Sequence, residues 1–193
     1  IAGELAAVIC IFDPLRAEAK DAIRALHACG ISKVVMMTGD NRRTAASVAE
    51  EVGVDEFYAE VLPEDKAAFI RREKAAGRTV IMIGDGVNDS PALSEADAGV
   101  AISTGAAIAR EIADITIASE DLFELVTLRR ISEALMGRIH RNYRFIVGFN
   151  LGLIVFGVAG LLPPTTSALL HNASTLAISL KSMTNLLPDK KNI

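Results

Sequence analysis

An apolar run, Thr79-Val80-Ile81-Met82-Ile83-Gly84, leads straight into Asp85-Gly86-Val87-Asn88-Asp89, and Ser90-Pro91-Ala92-Leu93 comes next. The run has the length and β-branched content of a buried strand, and residues 85–93 read as a tight turn and a helix start. Two carboxylates therefore fall where a strand ends and a helix begins. In open α/β sheets, ligands bind outside the carboxyl ends of the strands. Asp oxygens are hard donors of the kind Mg²⁺ takes, with waters and a substrate phosphate completing the shell. The segment predicts a magnesium and phosphate site in an α/β fold.

The rest of the chain up to residue 120 fits that fold. Strands are predicted at Ala6–Phe12, Lys33–Met37, Glu56–Ala59, Thr79–Ile83, Ala98–Ile102 and Asp114–Ala118. Helices are predicted between them, at Ala17–Cys29, Arg42–Val52, Pro63–Ala76, Asp89–Glu95 and Ala106–Ile112. Gly30, Gly53 and Gly77 stand where helices stop, and Pro63 where one starts. Strands alternating with helices of this length imply a doubly wound parallel sheet.

Composition changes along the chain. Of 193 residues, 51% are hydrophobic, and every acidic residue but Asp189 precedes residue 143. A helix is expected from Asp121 to about Arg141, carrying Leu122, Leu125, Val126, Leu128 and Ile131. Phe145–Leu162 is then an uncharged run of 18 residues, Pro163-Pro164 breaks it, and Thr166–Leu187 forms a second, more polar apolar segment. Such a run is about long enough to span a bilayer core. The basic flank Arg129, Arg130, Arg138, Arg141 and Arg144, with Lys190-Lys191 at the far end, fits a cytoplasmic side. The expected organisation is a domain over 1–120, a linking helix over 121–142 and a transmembrane helical hairpin over 143–193. A net charge of −4 argues against nonspecific nucleic-acid binding. Cys10 and Cys29 are neither a metal pair nor a disulfide framework.

Three motifs carry chemistry. Met37-Thr38-Gly39-Asp40-Asn41 follows a strand, and there a hydroxyl and a Gly amide can hold phosphate oxygens; taken alone, a plain helix-capping turn is the stronger reading. Leu62-Pro63-Glu64-Asp65-Lys66 puts a Lys on the first turn of a helix, within reach of a phosphate, although a solvated Lys is commoner. The third is the Asp85–Asp89 turn itself, for which an Asp-Gly turn with a cap at Asn88 or Asp89 is the plain alternative. The order of the three decides between these readings, because Thr38, Lys66, Asp85 and Asp89 all fall at the same edge of one expected sheet.

In this order the motifs resemble the phosphorylation domain of P-type ATPases, which has the haloacid dehalogenase-like fold. Asp13-Pro14-Leu15-Arg16 is similar to the family's return hinge from the nucleotide-binding domain. Arg141-Asn142, the Pro163-Pro164 break and His171-Asn172-Ala173-Ser174-Thr175 resemble the last two membrane helices of the heavy-metal branch. The resemblance implies that Thr38 and Gly39 hold the phosphoryl group and that Lys66 neutralises it. It implies that Asp85 ligates Mg²⁺, with Asn88 and Asp89 ordering the phosphoryl group and metal shell. Asp40, Arg16 and Gly86 would lie toward ATP. It also implies an integral protein of the bacterial cell membrane with this domain in the cytoplasm.

One departure matters. The family's nucleophile is the Asp of an Asp-Lys-Thr-Gly motif, which the sequence does not contain. Asp13 precedes Pro14, whose ring fixes φ and suits a hinge rather than a nucleophile. With no initiator Met and no adenine-binding domain, the chain reads as the C-terminal part of a pump whose N-terminal portion is its partner.

Polar residues within membrane spans are functional candidates, so Asn150, His171 and Ser174 are candidates for the transported ion; interhelical hydrogen bonding is the plain alternative. Zn²⁺, Cd²⁺, Mn²⁺ and copper all stay open. The apolar segments from residue 145 on lack both the Met-x-x-Ser-Ser pattern associated with monovalent copper pumps and the Asp-x-Gly of many zinc and cadmium pumps. Two other readings compete: a membrane-anchored haloacid dehalogenase-like phosphatase, and a non-catalytic membrane module.

Overall fold

In the computed structural model, the residues described are 14–84, 87–102, 111–118 and 121–187. The strand expected at Ala6–Phe12, the hinge residue Asp13, the turn residues Asp85 and Gly86, and residues 106–110 of an expected helix lie outside them. The chain divides into two units, Ile1–Val126 and Thr127–Ile193.

The first unit alternates strands and helices. Its described elements are α1 (Ala19–Ala28), β1 (Val35–Met37), α2 (Arg42–Val52), β2 (Glu56–Tyr58), α3 (Pro63–Ala75), β3 (Ile81–Gly84), a 3₁₀ turn (Val87–Asp89), α4 (Ser90–Glu95), β4 (Ala98–Ile102) and β5 (Ile115–Ile117). Local chemistry sets these bounds. Asn41 Oδ1 accepts from the Thr44 N–H at 3.0 Å and caps α2, while Gly53 ends it at φ 78°, a backbone that an L side chain resists. Pro63 opens α3, where Asp65 reaches back to accept from the Leu62 N–H at 3.2 Å.

All pairing among the described strands is parallel, as the alternation predicts. One sheet was expected, but the described strands form two. One pairs β1 with β2, and the other runs β3-β4-β5. Parallel strands require a crossover, and α4 supplies the one between β3 and β4. Ile70, Met82, Ala92 and Leu93 form a buried cluster, with Val80 and Ala96 packed against it. Gly99 lets α4 lie close: a Cβ there would sit 2.8 Å from the Leu93 carbonyl oxygen. Tyr58 and Phe69 pack with ring centroids 5.1 Å apart, and the Arg72 guanidinium lies 5.0 Å over the Phe69 ring.

Ion pairs stitch the elements together. Lys33 Nζ meets Glu56 Oε2 at 2.8 Å, holding the Glu56 carboxyl below its ordinary value of 4.5. Arg78 Nε donates to Glu73 at 2.7 Å and lowers that carboxyl too. The Val80 N–H donates to Asp97 Oδ2 at 2.8 Å; that bond, with Lys74 beside it, lowers Asp97. A carboxyl whose folded pKa is lowered adds stability above its unfolded pKa and loses it as pH falls through the folded value. Melting temperature is therefore expected to fall below about pH 4.5. In Asp97→Asn the fall should be shallower; an equal fall would remove Asp97 from this account.

The second unit is an antiparallel helical hairpin of α5 (Phe123–Val158, which starts in the first unit) and α6 (Pro164–Ser182). The 36 residues of α5 run through the boundary expected near residue 142, because nothing in that stretch breaks a helix. Three contacts set the hairpin register. Arg138 donates to the carbonyls of Ser182, Thr184 and Asn185 at 2.6–2.9 Å, closing the carboxyl end of α6. Asn142 Nδ2 donates to Ser182 Oγ at 2.9 Å. Nearer the connection, His171 Nδ1 lies 2.8 Å from Asn150 Oδ1.

The transmembrane reading of this hairpin is corrected. Among the described residues, no helix is long and apolar enough to cross a membrane. The uncharged run 145–162 does not become one helix, since α5 stops at Val158 and Gly160 turns the chain at φ 73°. Extending a window back along α5 brings in Arg141 and Arg144. The α6 helix carries Thr, Ser, His, Asn and Lys along its length.

Candidate functional site

The site is built at strand ends. Thr38 directly follows β1, with its N–H donating to the Tyr58 carbonyl at 3.0 Å and its carbonyl accepting from the Val61 N–H at 3.0 Å. Both backbone groups are thus held by the chain leaving β2. The Thr38 hydroxyl donates to Asp40 Oδ2 at 2.8 Å and accepts from the Asp40 N–H at 3.1 Å. The Asp40 carbonyl accepts from the Glu60 N–H at 2.9 Å. Glu60 has φ 58°, a left-handed backbone rarely taken by a non-glycine residue, and such strain concentrates near functional sites. Gly39 is exposed, and a Cβ there would touch nothing within 4 Å. Crowding by the protein therefore does not explain this glycine.

The second half lies where β3 ends. Lys66, on the first turn of α3, places Nζ 2.7 Å from Asp89 Oδ1. The side chains are 16% and 13% exposed, so water screens this pair poorly. Gly84 makes the geometry possible: a Cβ there would lie 2.7 Å from both Cβ and Oδ2 of Asp89. The carboxylate therefore folds back over the strand end, and any larger residue at 84 would push it away. Asn88, in the 3₁₀ turn beside it, is exposed.

Of the residues singled out by sequence, the structure joins Thr38 with Asp40 and Lys66 with Asp89. Asp85 and Gly86 lie outside the described residues. Arg16 lines an open cavity of about 560 Å³ with Glu18, Asp121 and Phe123. In the second unit, Asn150 and His171 meet, whereas Ser174 Oγ donates to the His171 carbonyl at 2.8 Å, a bond within its own helix. Among the described residues, no group of three or more His, Cys, Asp or Glu side chains could hold a metal ion. Gly84 is the site residue that sequence reasoning missed. Its one signal was its position, at the end of an apolar strand and immediately before the acidic turn.

Arranged this way, the first unit offers a hydroxyl, an ammonium and a carboxylate at strand ends. Each is a group type that can hold or neutralise phosphoryl oxygens.

Residues 1–97 match the haloacid dehalogenase-like hydrolase family. The chain is 46% identical over 170 residues to copper-transporting ATPase 2 of Rhizobium meliloti, a match covering 88% of this chain and 20% of that protein. It is 40% identical over 181 residues to the manganese-exporting P-type ATPase of Mycobacterium bovis, covering 93% and 25%. Among solved structures, a zinc-transporting PIB-type ATPase in an E2.Pi state superposes with a TM-score of 0.83 at 33% identity, over 89% of this chain and 28% of that one. The chain thus spans a fifth to a quarter of the length of these curated relatives. From the match over 1–97 and the likeness over nearly its whole length, the chain belongs to the haloacid dehalogenase-like hydrolases and, among them, to the heavy-metal P-type ATPases.

Proposed function

We propose that this chain is the phosphoryl-handling part of an ATP-driven transition-metal cation transporter. The observation that carries this reading is the Lys66–Asp89 pair, 2.7 Å long and shielded, at the mouth of β3. An ammonium held there neutralises charge on a phosphoryl group. Thr38 and Gly39 receive the same group from the end of β1, and Asn88 orders it. The acceptor Asp lies outside this chain. Asp40, Arg16 and Gly86 lie toward the nucleotide.

The donor chemistry fits magnesium. Asp89 is a shielded carboxylate, a hard oxygen donor beside a phosphoryl-neutralising Lys, and Asp85 is a second carboxylate four positions earlier in the sequence. Bound Mg²⁺ would neutralise phosphoryl oxygens and help align the group for transfer. The protein's own contribution is position: Gly84 sets Asp89, and α3 sets Lys66.

The transported substrate is a transition-metal cation. The relatives' names span copper and manganese, and the structural neighbour transports zinc. The Asn150–His171 pair provides oxygen and nitrogen atoms suited to a borderline divalent ion.

The test uses the full-length parent. Metal-stimulated ATP hydrolysis is expected in the wild type and is expected to be lost in Asp85→Ala. Undiminished activity in that variant would defeat the proposal.

A further inference from the structure

Among the described residues, Glu60 is the one residue other than glycine with a left-handed backbone, at φ 58°. Such a conformation persists only where its surroundings over-determine it. The side chain gives no reason for it. Glu60 is exposed, and among the described residues its carboxylate meets no hydrogen-bond donor or cation. The backbone gives the reason. The Glu60 N–H donates to the Asp40 carbonyl at 2.9 Å, and the next N–H, that of Val61, donates to the Thr38 carbonyl at 3.0 Å. Only the φ and ψ of Glu60 lie between these two donors, so its conformation sets the angle between the two bonds. Moving Glu60 to negative φ would swing one donor off its carbonyl.

The two bonds grip the residues on either side of Gly39. The Thr38 N–H, bonded to the Tyr58 carbonyl at 3.0 Å, ties the same turn to the same segment. Gly39 between them is exposed, and a Cβ there would touch nothing within 4 Å. The turn therefore offers open backbone at the end of β1 while its neighbours are held. We propose that Glu60 is a positioning residue of the phosphoryl site: its left-handed backbone fixes the Thr38–Asp40 turn, so that Thr38 and Gly39 stay placed to receive the phosphoryl group. The backbone of Glu60 acts here and its carboxylate does not. This rests on the reading above that Thr38 and Gly39 receive that group.

The experiment follows the melting temperature of the full-length pump in saturating Mg²⁺ as inorganic phosphate is added. The half-saturating phosphate concentration reports the site, and the phosphate-free melting temperature reports the fold. Glu60→Gly and Glu60→Asn remove the carboxylate but suit a left-handed backbone, so their half-saturation is expected to stay within about twofold of wild type. Glu60→Val is β-branched and opposed to this backbone, and it is expected to raise half-saturation about 10–100-fold, since a misplacement of about 1 Å can cost that much. A wild-type half-saturation in folded Glu60→Val overturns the inference. So does a rise in Glu60→Gly or Glu60→Asn, which would mean that the carboxylate acts. If Glu60→Val does not fold, the other two decide: both at wild-type half-saturation uphold the backbone role, and a rise in either overturns it. Thr38→Ala run in parallel separates the two claims. If phosphate stabilises Thr38→Ala as well as wild type, the reading of Thr38 as a phosphoryl ligand itself fails. If Thr38→Ala loses the response while Glu60→Val keeps it, only the role of Glu60 fails.

Discussion

Lys66→Met in the full-length pump is expected to cut metal-stimulated ATP hydrolysis about 10²–10³-fold with the fold retained. Methionine keeps most of the aliphatic stem and removes the charge. The loss has two parts. The phosphoryl group loses its neutralising ammonium, and Asp89, only 13% exposed, is left without its partner. The second part costs stability as well, about 1–3 kcal/mol for a pair this shielded. Lys66→Arg is no rescue, since a planar fork cannot stand in for a compact ammonium at a 2.7 Å contact. Steady-state ATPase assays alongside thermal melts would separate catalysis from folding. A drop smaller than about tenfold in a folded variant would remove Lys66 from the phosphoryl site.

The largest expected stability effect is at Leu93. This side chain is 1% exposed and packs in one cluster with Ile70, Met82 and Ala92. Its carbonyl lies against Gly99, so α4 and β4 are already in backbone contact and cannot close further onto a cavity. Leu93→Ala removes buried methyl groups and leaves a cavity that this rigid contact cannot close. The expected cost is about 3–5 kcal/mol, the upper part of the range for such changes. Urea unfolding of the first unit's signal would measure it. A loss under about 1 kcal/mol would mean that the cluster relaxes freely. The same change should disturb the site, because α4 begins one residue after Asp89.

Much of the first unit was legible residue by residue. Helix α2 and strand β4 occupy the spans the sequence predicts, Arg42–Val52 and Ala98–Ile102. Their ends are marked by local chemistry: Asn41 caps, Gly53 supplies positive φ, and the apolar run at 98–102 is short and bounded. Other strands are shorter than expected, as where Lys33–Met37 narrows to Val35–Met37, because ladder pairing with a neighbour sets where a strand ends. The site was legible as a set of residue types in order. Its pairing was not, because Lys66 and Asp89 are 23 positions apart and nothing local states their distance. Gly84 could not be read for the same reason: its role is to leave room for a side chain that folds back onto it.

The hairpin shows the opposite error. Hydropathy along 145–162 suggested a span, since a running average ignores where a helix ends. The termination at Val158 and the turn at Gly160 decided otherwise. Polar atoms then set the register of the two helices, through Arg138, Asn142 and the Asn150–His171 contact.

The amino-acid sequence alone determined the α/β alternation, the parallel class of the sheets, the family and the residue types at the strand ends. These depend on short-range periodicity, capping and turn chemistry, which neighbouring residues encode. Only the tertiary structure decided that Lys66 and Asp89 share a shielded contact, that Gly84 and Gly99 are spacers, and that the chain leaving β2 holds the carbonyls on either side of Gly39. Those facts depend on how distant segments pack in three dimensions, where a single methyl group decides whether two atoms can meet.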